Sequence, residues 1–179
     1  TGLAIRSPWW VVPNEFFLIY FLATAILFII TLYTNKPGRS LPLVITHFFL
    51  SCSVVLFVYR LGYGFDPFIH QATEKVIAAA GFILPKPFYY VGQYSLVVIL
   101  SKILSLRVEI IDRLLVPVLF STMIPTSIYY IFKKITTKNI LNIVLPLVIL
   151  ILPWSSFIVT TPQALANLLT LLIIIFSIL

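Results

Sequence analysis

Along the chain, long apolar runs alternate with short polar breaks. The runs fall at residues 14–34, 41–60, 114–132, 140–159 and 164–179. Several approach or exceed the roughly 18–20 residues that an α-helix needs to cross a bilayer core. Asn14 can cap the first run, with Pro13 just before it. The stretch "SPWWVVP" ahead of it puts Trp9 and Trp10 where amphipathic rings prefer to sit, at the membrane–water boundary. Pro117, Pro125, Pro146 and Pro153 lie inside runs. That is tolerated in a membrane, where neighbouring helices and waters re-satisfy the freed backbone groups. His47 and Cys52 read as tolerated helix-facing residues of the second run.

Between the second and third runs the pattern changes. Residues 60–113 hold four of the five acids and six of the twelve basic residues. Within this interval "FYYVGQYSLVVILSKILSL" (88–106) is long enough to cross. If it crosses, the turns "NKPGRS" and "KKITTKN" lie on opposite sides of the membrane; if it lies in the interface, they share a side. Both turns are short, basic and free of acid, the pattern of cytoplasmic loops. Ser95, Ser101, Lys102 and Ser105 also gather on about a third of the helical circumference. The segment is therefore read as interfacial. The fold expected is all-α: a polytopic transmembrane bundle of about five spanning helices, N-terminus outside. Residues 61–113 then form one large extracytoplasmic loop with membrane-parallel helices.

Composition sharpens this. Apolar residues make up 61% of the chain and charged residues 9%, far from the soluble norm of about 25% charged. Mean hydropathy is +1.12. In such a chain the net charge of +7 reports loop orientation and gives no reason to expect a nucleic-acid partner. The single cysteine excludes an intrachain disulfide or CxxC metal site. No basic-then-apolar signal order opens the chain. It begins at Thr1 without Met and ends within an apolar run, so 1–179 is expected to be a single membrane domain from the N-terminal part of a longer protein.

The chemistry is expected in "GFDPFIHQATEKVIAAAG". Asp66 is a favoured helix-capping residue, Pro67 suits the first helical position, and Gly81 suits the end. Asp66, His70 and Glu74 share one ridge at i, i+4, i+8, with Phe68, Ile69, Ala72, Val76, Ala79 and Ala80 on the opposing arc. The helix is amphipathic and too short to span. Asp66 is either a cap or a base or metal ligand, with His70 and Glu74 assisting; the alternative for Glu74, beside Lys75, is a solvated face. The same three residues could hold a divalent cation, though the spacing alone says little. Downstream, Lys86 stands between prolines ahead of Tyr89 and Tyr90, either an interfacial belt or contacts for a phosphate and a sugar. Arg107, Glu109, Asp112 and Arg113 alternate in sign and are expected to pair locally, with a basic residue such as Arg113 still able to meet a lipid phosphate.

A spanning helix running into "GYGFDPFIHQATEKVIAAAGFILPKPFYYVGQYSLVVILSKI" resembles the first extracytoplasmic loop of the GT-C glycosyltransferase superfamily. It looks most like the oligosaccharyltransferase catalytic subunit, with its acidic "FDP", amphipathic helix, glycine, aromatics and second interfacial helix. The likeness covers residues 41–161 and rests on an order of features. It implies a glycosyltransferase of a multi-pass membrane, taken to be a prokaryotic plasma membrane, with its active site extracytoplasmic. It implies a polyprenyl-phosphate-linked sugar donor, a sugar, lipid or protein acceptor, and a divalent ion such as magnesium or manganese. Asp66 is the residue carried over, as metal ligand or catalytic base. The later external loop "TTPQAL" lacks the second acidic motif of oligosaccharyltransferases, and the run at 14–34 is additional to their usual start. A GT-C enzyme acting on a lipid or glycan fits at least as well. The rival expectation is a non-enzymatic membrane protein, a transporter or assembly subunit.

Overall fold

A computed structural model describes residues 7–34, 37–59, 62–64, 66–82, 90–136, 139–152 and 154–177. Among these residues 84% are helical and no strand forms. The α-helices are α1 (Asn14–Tyr33), α2 (Leu41–Val58), α3 (Asp66–Ala80), α4 (Val91–Leu104), α5 (Val108–Ile135), α6 (Asn139–Ile149) and α7 (Pro162–Ser177). Among the described residues α1, α2 and α5 are long and apolar enough to cross a membrane.

The helices begin and end near the places that the polar breaks predict. There are two exceptions: α5 begins at Val108, ahead of the apolar run at 114–132, so Glu109 to Arg113 are helical; and the run at 140–159, expected as one span, is broken. There α6 stops at Ile149. The next amides bond three residues back: Leu150 to Leu147, Ile151 to Val148 and Leu152 to Ile149, each at 3.1 Å. Pro153 follows, and a residue before proline is pushed out of the helical region. Trp154 Nε1 then donates to the Ile149 carbonyl at 2.7 Å, a second donor beside the Leu152 amide. A short 3₁₀ turn at Ser155–Phe157 leads on to α7.

Polar contacts set the helix directions. Tyr20 Oη and Ser51 Oγ lie 2.7 Å apart, and Thr24 Oγ1 and His47 Nε2 2.9 Å apart, so α1 and α2 run antiparallel. The Tyr20 and His47 rings stack at 4.8 Å. Between apolar helices such side-chain bonds contribute about 1 kcal/mol each and fix the pairing. His47 is thus a buried interhelical partner.

Helices α2 and α5 also pack antiparallel. Ahead of α2, a Cβ on Gly38 would lie 3.1 Å from the Tyr129 hydroxyl oxygen, late in α5. After α2, Tyr59 borders a recess together with Asp112 and Arg113, early in α5. The turn between α1 and α2 therefore lies beside the end of α5 that carries Lys133 and Lys134. The chain between α2 and α5 leaves and returns at the other end.

The core is built on α5. Val44 and Phe48 of α2, Val116, Phe120 and Ile124 of α5, and Leu168 of α7 are fully buried together. Phe157 stacks on Phe120 at 4.7 Å and 6°, and Trp154 tilts against Phe120 at 5.3 Å. Just before Pro117, where the helix ladder is interrupted, the Val116 amide donates to Thr160 Oγ1 at 3.1 Å. That buried bond ties the approach to α7 to the middle of the bundle.

Candidate functional site

The chain enters α3 through Gly62 and Gly64, at φ of +125° and +86°, values that disfavour other residues. Asp66 opens the helix, and Gly81, at φ +80°, follows its last residue, with its amide on the Ile77 carbonyl at 2.8 Å. The boundaries are those that capping residues predict.

The orientation of α3 is the first finding. The ridge of Asp66, His70 and Glu74 turns towards the protein as it leaves Asp66, against the solvated alternative for Glu74. Asp66 is exposed, His70 is half-buried and Glu74 is 0% exposed. The apolar arc faces outward: Phe68 is 42% exposed, Ile69 45% and Val76 54%. The reason is the neighbours. Helices α4 and α5 present Gln93, Tyr94 and Asp112 to this ridge, and these polar groups need partners when buried.

Their hydrogen bonds follow from that placement. His70 Nδ1 lies 2.9 Å from Tyr94 Oη, and the His70 ring meets Tyr90 edge-on at 5.3 Å. Gln93 Nε2 donates to Glu74 Oε1 at 3.2 Å. Gln71 Nε2 donates to Asp112 Oδ2 at 3.4 Å, a long bond. The Glu74 carboxyl neighbours that of Asp112, whose charge acts on it. Glu74 Oε2, Gln93 Oε1 and Asp112 Oδ1 are buried and receive no amide or hydroxyl donor.

Burial pushes the Glu74 carboxyl well above the usual carboxylate range, and the neighbouring Asp112 charge pushes it further. The Gln93 amide opposes this weakly. Two adjacent buried carboxyls resist ionising together, so the pair tends to retain a proton. Glu74 is therefore not a solvated partner of Lys75.

The charged run on α5 behaves in two ways. Glu109 pairs with Arg107 at 3.1 Å, the local pairing expected, and with Lys75 of α3 at 2.8 Å. Asp112 instead turns inward and is 1% exposed. Arg113 donates through Nε to the Glu109 carbonyl at 3.2 Å and lines the small recess.

That recess, about 20 Å³, is bordered by Tyr59, Tyr63, Pro67, Asp112, Arg113 and Thr160. Asp66, the residue before Pro67, is exposed and is not among the residues that border it. Val55 and Tyr63 also line a larger cleft of about 390 Å³. Trp9, Cys52, Trp154 and Ile158 make that cleft mostly apolar, with hydroxyls from Ser51 and Ser155.

Sequence reasoning named seven site residues. Arg113 borders the recess and Asp66 does not, His70 and Tyr90 touch one another, and Glu74 neighbours Asp112. Lys86 and Tyr89 lie outside the described residues. Among the described residues no three His, Cys, Asp or Glu side chains converge as metal ligands, so Asp66, His70 and Glu74 do not form a three-ligand centre. Asp112, Gln71 and Gln93 were missed as network members. A signal existed for Asp112: it falls on the helical stripe of Val108, Ile111, Leu115 and Val116, all buried.

Comparison of the chain with protein-family models, with curated proteins and with solved structures finds no match.

Proposed function

We propose that the chain is a membrane glycosyltransferase of GT-C type, moving a sugar or glycan from a polyprenyl-phosphate-linked donor to an acceptor at the extracytoplasmic face. The observation that carries this reading is Arg113 on a small recess whose lining residues Val55 and Tyr63 also line the larger, mostly apolar cleft. Such a donor has an anionic head and a long apolar tail, and the larger cleft would take the tail. Arg113 would hold the phosphate by charge-assisted hydrogen bonds. Asp66 would accept the proton of the acceptor hydroxyl as its oxygen bonds to the sugar carbon. The bond from that carbon to the phosphate oxygen breaks, and the phosphate leaves with the electron pair.

In this reading the bundle crosses the membrane about five times. The basic turns around Arg39 and Lys133 are cytoplasmic, and α3 and α4 lie at the outer interface. The outward apolar arc of α3 supports that position, since lipid would cover Phe68, Ile69 and Val76.

Glycosyl transfer by the full-length protein in membranes is the test. Asp66→Asn is expected to lower turnover by about 100-fold or more while leaving folding intact. A folded Asp66→Asn protein with full activity overturns the assignment.

A transporter or assembly subunit is the second reading, favoured by the interrupted backbone between α6 and α7. Leu150, Leu152, Trp154 and Ser155 of that segment line the larger cleft, and broken helices line substrate sites in transporters. Labelling of cysteines placed at Ser101 and Thr136 separates the topologies, with native Cys52 buried. The glycosyltransferase reading expects position 101 to react from outside and position 136 from the cytoplasm. Reaction of position 136 from outside rejects it.

A further inference from the structure

Leu152 and Trp154 of the broken segment also line a second cavity, of about 290 Å³, that the transfer reaction does not use. One side of it is the face of α5 between Ile124 and Ile135, and Leu171 and Ile175 of α7 supply another. Every side chain around it is apolar except Trp154, whose indole Nε1 already donates to the Ile149 carbonyl at 2.7 Å. No lining side chain offers water a free donor or acceptor, so the groove suits an apolar occupant.

Length and direction give the occupant's shape. The lining stripe of α5 from Ile124 to Ile135 covers roughly 16 Å of helix. That is about half of a bilayer's hydrocarbon core of roughly 30 Å, the depth of one leaflet. Helix α5 is long and apolar enough to cross such a core. At the inner end stands Trp154, which lies against Phe120 in the middle of α5. At the other end is Ile135, the last residue of α5 and exposed. The groove thus runs from the middle of the bundle to its basic end, as an acyl chain runs from the bilayer centre to its headgroup.

The charges at that end are of one sign. Lys133 and Lys134 lie in the last turn of α5, between the lining residues Phe132 and Ile135, and both are exposed. Lys134 stands about a quarter of a turn from the centre of the stripe, on the side of Ile131. The long apolar stem of a lysine lies along such a surface while its ammonium reaches the headgroup level. Arg39 is exposed in the turn between α1 and α2. No acid among the described residues lies here: Glu15 begins α1, Asp66 and Glu74 are on α3, and Glu109 and Asp112 begin α5, all at the other end. The groove therefore opens beside positive charge that no carboxylate offsets.

We propose that this groove binds a membrane glycerophospholipid with an anionic headgroup, one acyl chain lying along α5 from Ile124 to Ile135 and the phosphate at Lys134. Lys133 and Arg39 add to the attraction. A zwitterionic lipid would fill the groove as well, but its headgroup cation would meet the same basic residues, so the preference comes from headgroup charge. The site depends on neither reading of function and requires only that α5 crosses the membrane.

The test is native mass spectrometry of the purified full-length protein, released from micelles that hold equal amounts of phosphatidylglycerol and phosphatidylcholine with the same acyl chains. The protein is expected to retain phosphatidylglycerol in preference, by about fivefold or more. Lys134→Gln is expected to lower that preference by about fivefold. Leu171→Trp fills the groove without changing charge and is expected to reduce retention of both lipids. The wild-type competition needs no variant to fold: equal retention of the two lipids overturns the site. Undiminished retention in Leu171→Trp overturns it as well, because the headgroup alone would then be held. So does displacement of the bound lipid by glycerol 3-phosphate, which carries the charge without a chain.

Discussion

Two acids on one ridge of α3 have opposite surroundings. Asp66 sits at the helix start in contact with solvent, while Glu74, two turns on, has none. The difference gives a pH prediction. Burial and Asp112 raise the folded-state pKa of Glu74 above its ordinary 4.5. Above pH 4.5 the unfolded chain releases this proton while the folded chain keeps it. The unfolded state therefore gains, and stability falls as pH rises from there towards the raised value. The slope from one group is at most about 1.4 kcal/mol per pH unit. Glu74→Gln should flatten that part of the profile and raise the melting temperature at neutral pH. A wild-type profile that is already flat between mildly acid and neutral pH contradicts this. The ridge itself was legible in the sequence, because i, i+4 spacing is a property of one helix. Its inward turn was not, because it depends on Gln93 and Asp112, which arrive from other helices.

Among the elements, α3, α5 and the segment after α6 carry the structure's main departures from a hydropathy reading. Asp112 looked like one of four alternating charges, yet its helical position lies on the buried stripe of α5. The run at 140–159 reads as one apolar stretch but breaks after Ile149, since hydropathy does not register where a backbone loses its hydrogen-bond donors. Thr160 supports the break by accepting the Val116 amide at 3.1 Å. Thr160→Val keeps the side-chain shape and removes the acceptor that the Val116 amide uses across the bundle. A loss of about 1 kcal/mol is expected in denaturant or thermal unfolding. Thr160→Ser, which retains the oxygen, should lose less. Equal losses for the two variants would show that the hydroxyl bond contributes nothing.

Across the whole molecule, the arrangement is a bundle with two unlike ends. One end gathers the basic turns, with Gly38 against Tyr129 and Lys133 and Lys134 nearby. The other gathers α3, the start of α5, the recess and the buried carboxyl pair. The cleft joins that second end to the middle of the bundle, where the broken segment provides Trp154 and Ser155. Apolar run lengths, the basic turns and the Asp66–Pro67 to Gly81 boundaries were determined by the sequence alone, because each depends on solvation or backbone preference within a single helix or turn. Which face of α3 points inward, where α6 ends and why Glu74 meets Asp112 were decided only by tertiary packing. Those outcomes rest on burial and on partners distant in sequence, and a buried polar group takes whatever donor or charge the neighbouring helices bring to it.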